Sequence, residues 1–302
     1  MFRSLLLPLL AVLAAILPGQ SPSCGPHGTA ATVLITPAGL AQRLHQPELV
    51  VLAVGDGGSR TYQGGHIPGA VALDARKLWT STGGLSVELP SAQVLAEAMT
   101  RLGITPQSRI VLYPSGAGDT RVSRVYWTLD AIGLGARTSI LDGGLAAWTD
   151  AGLPLERKEG RPAQRAPFPP CLQADVLADY GDVQAHLHQP GTVIVDARED
   201  SDYSGGMEMM GRRGHIPGAV SIPEPSLISQ GRYLPLEALR AKFAAAGIKP
   251  GATVVSYCHI GLMATEVYVA ARLLGYQARM YDGSFEDWAA HKNSPVELSP
   301  GR

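Results

Sequence analysis

The heptapeptide Gly65-His66-Ile67-Pro68-Gly69-Ala70-Val71 occurs a second time, letter for letter, as Gly214-His215-Ile216-Pro217-Gly218-Ala219-Val220. A second match follows in the same order, because Leu141-Asp142-Gly143-Gly144 with Trp148 corresponds to Tyr281-Asp282-Gly283-Ser284 with Trp288. One short match can arise by chance, whereas two in the same order indicate an internal duplication. The chain of 302 residues is therefore predicted to hold two similar domains.

Both copies alternate short apolar runs with amphipathic stretches. This alternation is typical of buried parallel strands with helices on both faces, so each copy is predicted to be an α/β domain. In the second copy strands are expected at Thr192 to Val195 and Ala252 to Tyr257, and helices at Ala174 to Gln189, Leu236 to Ala246 and Leu262 to Leu274. In the first copy strands are expected near Val50 to Val54, Arg109 to Tyr113 and Thr138 to Leu141.

The domain boundaries follow from composition. Leu155 to Pro170 is rich in Arg, Lys and Pro and cannot form a helix or a central strand. The sequence is accordingly divided into a signal peptide at residues 1–23, a first domain at 31–157, a linker at 158–170 and a second domain at 171–298.

The first residues have the pattern of a secretory signal. Arg3 precedes an apolar run from Leu5 to Leu17, which is followed by Pro18-Gly19-Gln20-Ser21. The run is shorter than the roughly 20 residues that cross a bilayer, which favours a cleaved signal over a stable membrane span. We expect an exported, periplasmic protein, with a lipid anchor on Cys24 as the less favoured alternative.

Charge and cysteine content exclude several classes of protein. The 25 Lys and Arg residues balance 26 Asp and Glu residues, whereas a nucleic-acid-binding protein should have a basic face. The three cysteines, Cys24, Cys171 and Cys258, are too few for a dense disulfide framework. Cys171 is expected to be a small, partly buried side chain.

In α/β domains, reactive groups lie in the loops that leave the carboxyl ends of strands. In the second half this loop is Cys258-His259-Ile260-Gly261-Leu262-Met263. A cysteine placed there meets backbone N–H groups and the positive end of the next helix, both of which favour a thiolate. In the first half the loop is Pro114 to Asp119, and aligning the strands places Pro114 opposite Cys258 and Val54 opposite Asp196. One catalytic half and one supporting half are predicted.

The two copies resemble tandem rhodanese domains, the family of thiosulfate and 3-mercaptopyruvate sulfurtransferases. Tyr62 to Ala70 resembles the amino-terminal signature of that family, and Ala278 to Trp288 resembles the carboxyl-terminal one, with Asp287 where Glu is usual. The resemblance implies two mainly parallel sheets flanked by helices. It also implies sulfur transfer through a Cys258 persulfide, from a small donor such as thiosulfate to a thiol or cyanide acceptor, without metal or organic cofactor.

The resemblance also suggests roles for neighbouring residues. The loop from His259 to Met263, with Ile260, Gly261 and Leu262 between them, should bind the anionic sulfur and the donor. Arg198 is a candidate substrate-binding cation at the pocket rim, although a structural role beside Asp196 is favoured. His215 and the two tryptophans are expected to pack. The oligomeric state is not predicted.

The loop departs from both familiar patterns of the family. Thiosulfate-specific members resemble Cys-Arg-Lys-Gly and mercaptopyruvate-specific members resemble Cys-Gly-Ser-Gly, but this chain has His259 and Ile260, with Asp202 where an arginine is frequent. A related phosphatase is excluded because Ala264 stands where the Cys-x5-Arg loop needs arginine. A non-catalytic binding or scaffold protein remains the alternative function.

Overall fold

The computed structural model describes residues 24–57, 60–116, 119–187 and 189–299. The expected signal peptide at residues 1–23 lies outside this part, as do Ala117 and Gly118 of the first-half loop.

The first half is built on a parallel sheet of five strands in the order β1-β7-β6-β2-β3. Its strands are β1 (Leu34–Ile35), β2 (Leu49–Gly55), β3 (Val71–Asp74), β6 (Arg109–Pro114) and β7 (Thr138–Leu141), with the hairpin β4 (Thr80–Thr82) and β5 (Leu85–Glu88) outside the sheet. Its helices are α1 (Ala30–Val33), α2 (Pro37–Ala41), α3 (Arg60–Gly64), α4 (Ala92–Arg101), α5 (Arg121–Ala131) and α6 (Gly144–Asp150). Short 3₁₀ turns cover Ala75–Leu78 and Gly135–Arg137.

The second half repeats this arrangement, with a parallel sheet in the order β12-β9-β15-β16-β8. Its strands are β8 (Leu177–Ala178), β9 (Thr192–Asp196), β12 (Val220–Ser221), β15 (Thr253–Tyr257) and β16 (Gln277–Tyr281), and two hairpins pair β10 (Glu208–Met209) with β11 (Arg212–Arg213) and β13 (Ile228–Ser229) with β14 (Arg232–Tyr233). Its helices are α7 (Tyr180–Ala185), α8 (Asp200–Ser204), α9 (Leu236–Ala245), α10 (Ala264–Leu273) and α11 (Ser284–Ala290), with 3₁₀ turns at Ala174–Val176 and Glu224–Leu227. The predicted α/β duplication is confirmed.

The strands form where apolar, largely β-branched residues can be buried on both faces. In β15, for example, every residue from Val254 to Tyr257 is buried, as a central parallel strand requires. Helices then cover both faces of each sheet. This packing places the carboxyl ends of β9 and β15 side by side, and Asp196 pairs with Tyr257 in the register.

Two expectations need correction. The stretch from Ala174 to Gln189 is not one helix, because Leu177 and Ala178 join the sheet edge and Asp179 caps a new helix through its side chain. The partner of Asp196 in the first half is Ala53 rather than Val54, because Ala53 pairs with Tyr113 as Asp196 pairs with Tyr257.

The repeated Gly-His-Ile-Pro-Gly-Ala turn has the same packing role in both halves. The His215 ring stacks on Tyr203 with centroids 3.8 Å apart, and the His66 ring stacks on Tyr62 at 3.9 Å. Both histidines are almost fully buried. Since the same arrangement occurs in the half that lacks a cysteine, it does not depend on the sulfur chemistry.

A disulfide joins Cys24 to Cys171, across 147 residues. Cys171 is half-buried, and this bond was not predicted from the sequence. The bond ties the segment before the first domain to the start of the second. In this bonded form, the Cys24 sulfur is not available for a lipid thioether.

No helix within the described residues is both long and apolar enough to cross a membrane.

Candidate active site

Cys258 lies directly after β15, at the carboxyl edge of the second sheet, and 1% of its surface is exposed. Its backbone N–H donates to Ser284 Oγ at 3.2 Å, and its carbonyl accepts from Phe285 N at 3.0 Å. Both partners belong to the first turn of α11. The cysteine backbone is thus fixed by the motif that resembles the carboxyl-terminal signature of the family.

The carbonyl groups of the following loop are held by other parts of the protein. The His259 carbonyl accepts from Glu286 N at 2.9 Å, and the Gly261 carbonyl accepts from Arg124 Nη1 at 3.1 Å. The Leu262 carbonyl accepts from Thr265 Oγ1 at 2.6 Å. These bonds fix the peptide planes of the loop.

The amide N–H groups of the same loop are left for a group that the protein does not supply. Within the described part of the chain, no protein acceptor receives a hydrogen bond from the backbone N–H of His259, Ile260, Gly261, Leu262 or Met263. They precede α10, whose N-terminus adds positive potential. Consecutive backbone donors without a protein acceptor are the arrangement by which loops bind anions in other proteins.

Gly261 is needed for the shape of this loop. Its φ is +80°, a left-handed conformation that other residues adopt only with strain. A Cβ atom at this position would lie 2.6 Å from Asp282 O and 2.9 Å from Arg124 Nη1. The close approach of the loop to these two residues therefore requires glycine.

Ser284 adopts a left-handed backbone as well, with φ of +54°, although it has a side chain. The matching position in the first half is Gly144, with φ of +57°. Such strain costs about 1–3 kcal/mol and is concentrated at functional sites. The Ser284 hydroxyl accepts a hydrogen bond from the Cys258 N–H. Glycine could not make this bond, because it has no side-chain acceptor.

His259 faces a buried carboxylate. Its Nε2 lies 3.3 Å from Oδ2 of Asp202, whose side chain is 7% exposed. The geometry is not that of a hydrogen bond, and Nε2 of His259 and Oδ1 of Asp202 are both buried without a hydrogen-bond partner in the described part of the chain. Asp202 thus places an acidic side chain beside the loop.

Arg198 is buried and engaged, with 1% of its side chain exposed. Its Nε and Nη2 donate to Asp196 at 2.9 and 2.6 Å, and Nη2 also donates to the Gly214 carbonyl at 2.8 Å. The guanidinium lies 4.1 Å above the Phe285 ring. Arg198 therefore supports the sheet edge below the loop and is engaged by Asp196, Gly214 and Phe285. Asp196 is the structural acceptor that was expected, and it also accepts from Tyr257 Oη at 2.6 Å.

The first half contributes residues to this site that the sequence did not suggest. Ser86 N and Leu89 N, at the β4–β5 hairpin, donate to Glu286 and Asp282 at 2.7 Å each. Burial, together with the negative charge of Asp282, raises the pKa of Glu88 to about 8. Arg124 of α5 forms a buried ion pair with Asp282 at 2.6 Å.

The matching loop of the first half begins with Pro114 and has no thiol. A cavity of about 120 Å³ lies against Pro114, Thr120 and Gly143, and Glu266 and Tyr233 of the second half close it. The first-half position that corresponds to Cys258 thus borders an open space but carries no thiol. The predicted division into one catalytic and one supporting half is consistent with this geometry.

Comparison with known proteins decides the family. The model of the rhodanese-like domain matches residues 36–151 and again residues 179–291. The chain belongs to the rhodanese family. This tandem rhodanese is 36% identical to a probable 3-mercaptopyruvate sulfurtransferase of Pseudomonas aeruginosa, over 87% of the chain and 97% of the relative. It is 30% identical to a thiosulfate sulfurtransferase of the same organism, over 88% of the chain and 97% of that relative.

Solved structures show the same fold at lower identity. YnjE superimposes with a TM-score of 0.79 at 23% identity, covering 88% of this rhodanese and 68% of that chain. An EanB variant in complex with ergothioneine gives 0.77 at 22% identity, covering 89% and 70%. The relatives of higher identity over nearly their full length show that this rhodanese is a sulfurtransferase, which takes its sulfur from a small-molecule donor.

Proposed function

We propose that Cys258 is the sulfur carrier. The thiolate attacks the outer sulfur of the donor, the sulfur–sulfur bond of thiosulfate breaks, and sulfite leaves with the bonding electron pair. Cyanide or a thiolate then attacks the outer persulfide sulfur, which releases thiocyanate or a new persulfide and restores the Cys258 thiolate. Neither step requires an external oxidant or reductant.

The observation that carries this proposal is the row of five unengaged amides from His259 to Met263 beside Cys258. A persulfide is an anion, and the amides with the α10 terminus replace the water it would otherwise bind. Ile260, Leu262 and Met263 act through their backbone, so their apolar side chains are compatible with the role. Phosphate chemistry lacks the arginine it requires, because Ala264 occupies that position.

The donor is proposed to be small and to carry little negative charge beyond what the loop amides neutralise. Cys258 is almost fully buried, which favours a small molecule. Asp202 adds negative charge beside the loop, and the Asp282 carboxylate offsets the charge of Arg124. Thiosulfate and 3-mercaptopyruvate, after which the relatives are named, are the two donors to compare.

The test is a steady-state assay of both donors with cyanide as acceptor. Wild-type protein should produce thiocyanate, and Cys258→Ala should produce none while its circular dichroism spectrum stays native. The disulfide-free double variant Cys24→Ser with Cys171→Ser serves as the matched control, because it removes the other two sulfurs and should keep the activity. Equal turnover by Cys258→Ala would exclude the proposed carrier, and an inactive wild type would favour a binding protein.

We propose in addition that the protein is exported into an oxidising compartment. The pattern from Arg3 to Ser21 supports a signal peptide. The Cys24–Cys171 bond supports the same compartment, since thiols of cytoplasmic proteins are normally kept reduced. Amino-terminal sequencing of the protein from periplasmic extracts tests this: a mature start before Cys24 is expected, and an intact Met1 in the cytoplasmic fraction would refute it.

A further inference from the structure

The two halves meet through α5 and α10, which occupy equivalent places in the duplication. Ser123 Oγ of α5 and Thr265 Oγ1 of α10 are 2.8 Å apart. The next residue on each helix reaches the loop region of the opposite half. Arg124 contacts the carbonyl of Gly261, and Glu266 lines the cavity at Pro114. At equivalent helix positions, Arg124 thus places a cation at the Cys258 loop, and Glu266 places a carboxyl group at the Pro114 loop.

The guanidinium of Arg124 is only partly used by the protein. Nη1 donates to Gly261 O at 3.1 Å and to Asp282 Oδ1 at 2.6 Å. Nε and Nη2 are buried and find no acceptor within the described part of the chain, and 1% of the side chain is exposed. A buried guanidinium N–H without a partner is costly and therefore unusual. The guanidinium lies 4.5 Å from the centroid of the Trp127 ring, which is the other contact that the chain gives it.

Two properties of this contact bear on the chemistry at Cys258. The bond to Gly261 O holds that peptide group by its carbonyl, which fixes the orientation of the loop whose amides are free. The charge of Arg124 is permanent and buried, and it balances the Asp282 carboxylate at 2.6 Å, so its removal would leave an uncompensated negative charge beside the loop.

We propose that Arg124, supplied by the half without a cysteine, is the positioning residue of the sulfur site, and that by neutralising Asp282 it keeps this carboxylate from repelling anionic reactants there. The inference rests on the proposed role of Cys258 and adds to it a reason for the first half: the catalytic loop is completed by a cation from the other domain. Glu266, the equivalent residue on α10, provides a matched control, because its side chain accepts from Ser123 and Tyr233 and lines the cavity at Pro114.

The test compares alkylation of Cys258 by anionic iodoacetate and by neutral iodoacetamide, in a background where Cys24 and Cys171 remain bonded. Arg124→Gln should lower the ratio of the iodoacetate rate to the iodoacetamide rate by about tenfold, the effect of one poorly screened charge. Arg124→Lys should keep the ratio, because the charge remains. It should still lower kcat with thiosulfate by about tenfold, because lysine lacks the planar fork. Glu266→Gln should change neither quantity.

An unchanged ratio in folded Arg124→Gln, or equal slowing with both reagents, would overturn the proposal, since a merely structural residue would affect both alike. If Arg124→Gln does not fold, the test rests on Arg124→Lys. A wild-type kcat with thiosulfate in Arg124→Lys would then overturn the proposal. Equal losses of kcat in Arg124→Lys and Glu266→Gln would do so as well. Alkylation does not depend on sulfur transfer. A lowered ratio in a protein that accepts no sulfur would therefore refute the persulfide alone.

Discussion

Replacing Gly261 by alanine should disable the loop while the fold survives. At φ of +80° a residue with a side chain costs about 1–2 kcal/mol. The new Cβ would also lie 2.6 Å from Asp282 O and 2.9 Å from Arg124 Nη1, so the loop must move, at a further cost of about 1–3 kcal/mol. The expected total destabilisation is about 2–5 kcal/mol.

In Gly261→Ala the loss of kcat/KM should exceed what partial unfolding of the protein would cause. Because the amides from His259 to Met263 must surround one sulfur anion, a shift of about 1 Å should lower kcat/KM by about a hundredfold. The measurements are thiosulfate and mercaptopyruvate turnover, together with urea unfolding.

Gly275→Ala is the matched control for this substitution. Gly275 has φ of +82° and no atom within 4 Å of its would-be Cβ, so it carries the backbone strain without the collision. It should lose about 1–2 kcal/mol of stability and no activity. If Gly261→Ala kept kcat/KM within twofold of the wild type, or unfolded at the same urea concentration as Gly275→Ala, the reasoning about the loop would be wrong.

Three further variants test other parts of the structure. Cys24→Ser with Cys171→Ser opens a loop of 147 residues and should lower the free energy of unfolding by about 2–4 kcal/mol; identical urea midpoints for the two proteins would contradict this. Burial raises the pKa of Glu266 to about 7 in the folded state, from an ordinary value of 4.5. Between these pH values the folded protein keeps a proton that the unfolded chain has lost, so the free energy of unfolding falls as the pH rises. Glu266→Gln should therefore gain up to about 3 kcal/mol relative to wild type between pH 5 and pH 8 in urea unfolding, and a constant difference would count against it. Asp202→Asn removes a buried negative charge beside His259 and should lower KM for thiosulfate several-fold, about 1 kcal/mol, in steady-state kinetics; a raised KM would show that Asp202 supports binding.

The duplicated motif was sufficient to predict the fold, because a repeated turn and a repeated strand–loop–helix order leave few alternatives. The same order located Cys258 and Gly261 at the end of a buried strand. The prediction of one helix from Ala174 to Gln189 was wrong, because the apolar pair Leu177 and Ala178 joins the edge of the sheet. The acidic residues Asp179 and Asp182 form a capping box and were a local signal for the later helix start.

The contributions from distant parts of the chain could not be predicted. The contact of Arg124 with Gly261 spans 137 residues and depends on how α5 packs on α10. The pairing of Cys24 with Cys171 likewise requires the two segments to meet at the domain boundary. One signal was present for Ser284, because it replaces the second glycine of the repeated Asp-Gly-Gly motif. A side chain at a position suited to glycine indicates that the side chain has a use.

The central claim is that Cys258 carries the transferred sulfur, and the mass of the intact protein tests it most directly. After incubation with thiosulfate and removal of excess donor, wild-type protein should gain the mass of one sulfur atom, and cyanide should remove it. Cys258→Ala should gain nothing under the same conditions. A folded wild-type protein whose mass stays unchanged with both thiosulfate and mercaptopyruvate, or an equal gain in Cys258→Ala, would contradict the account.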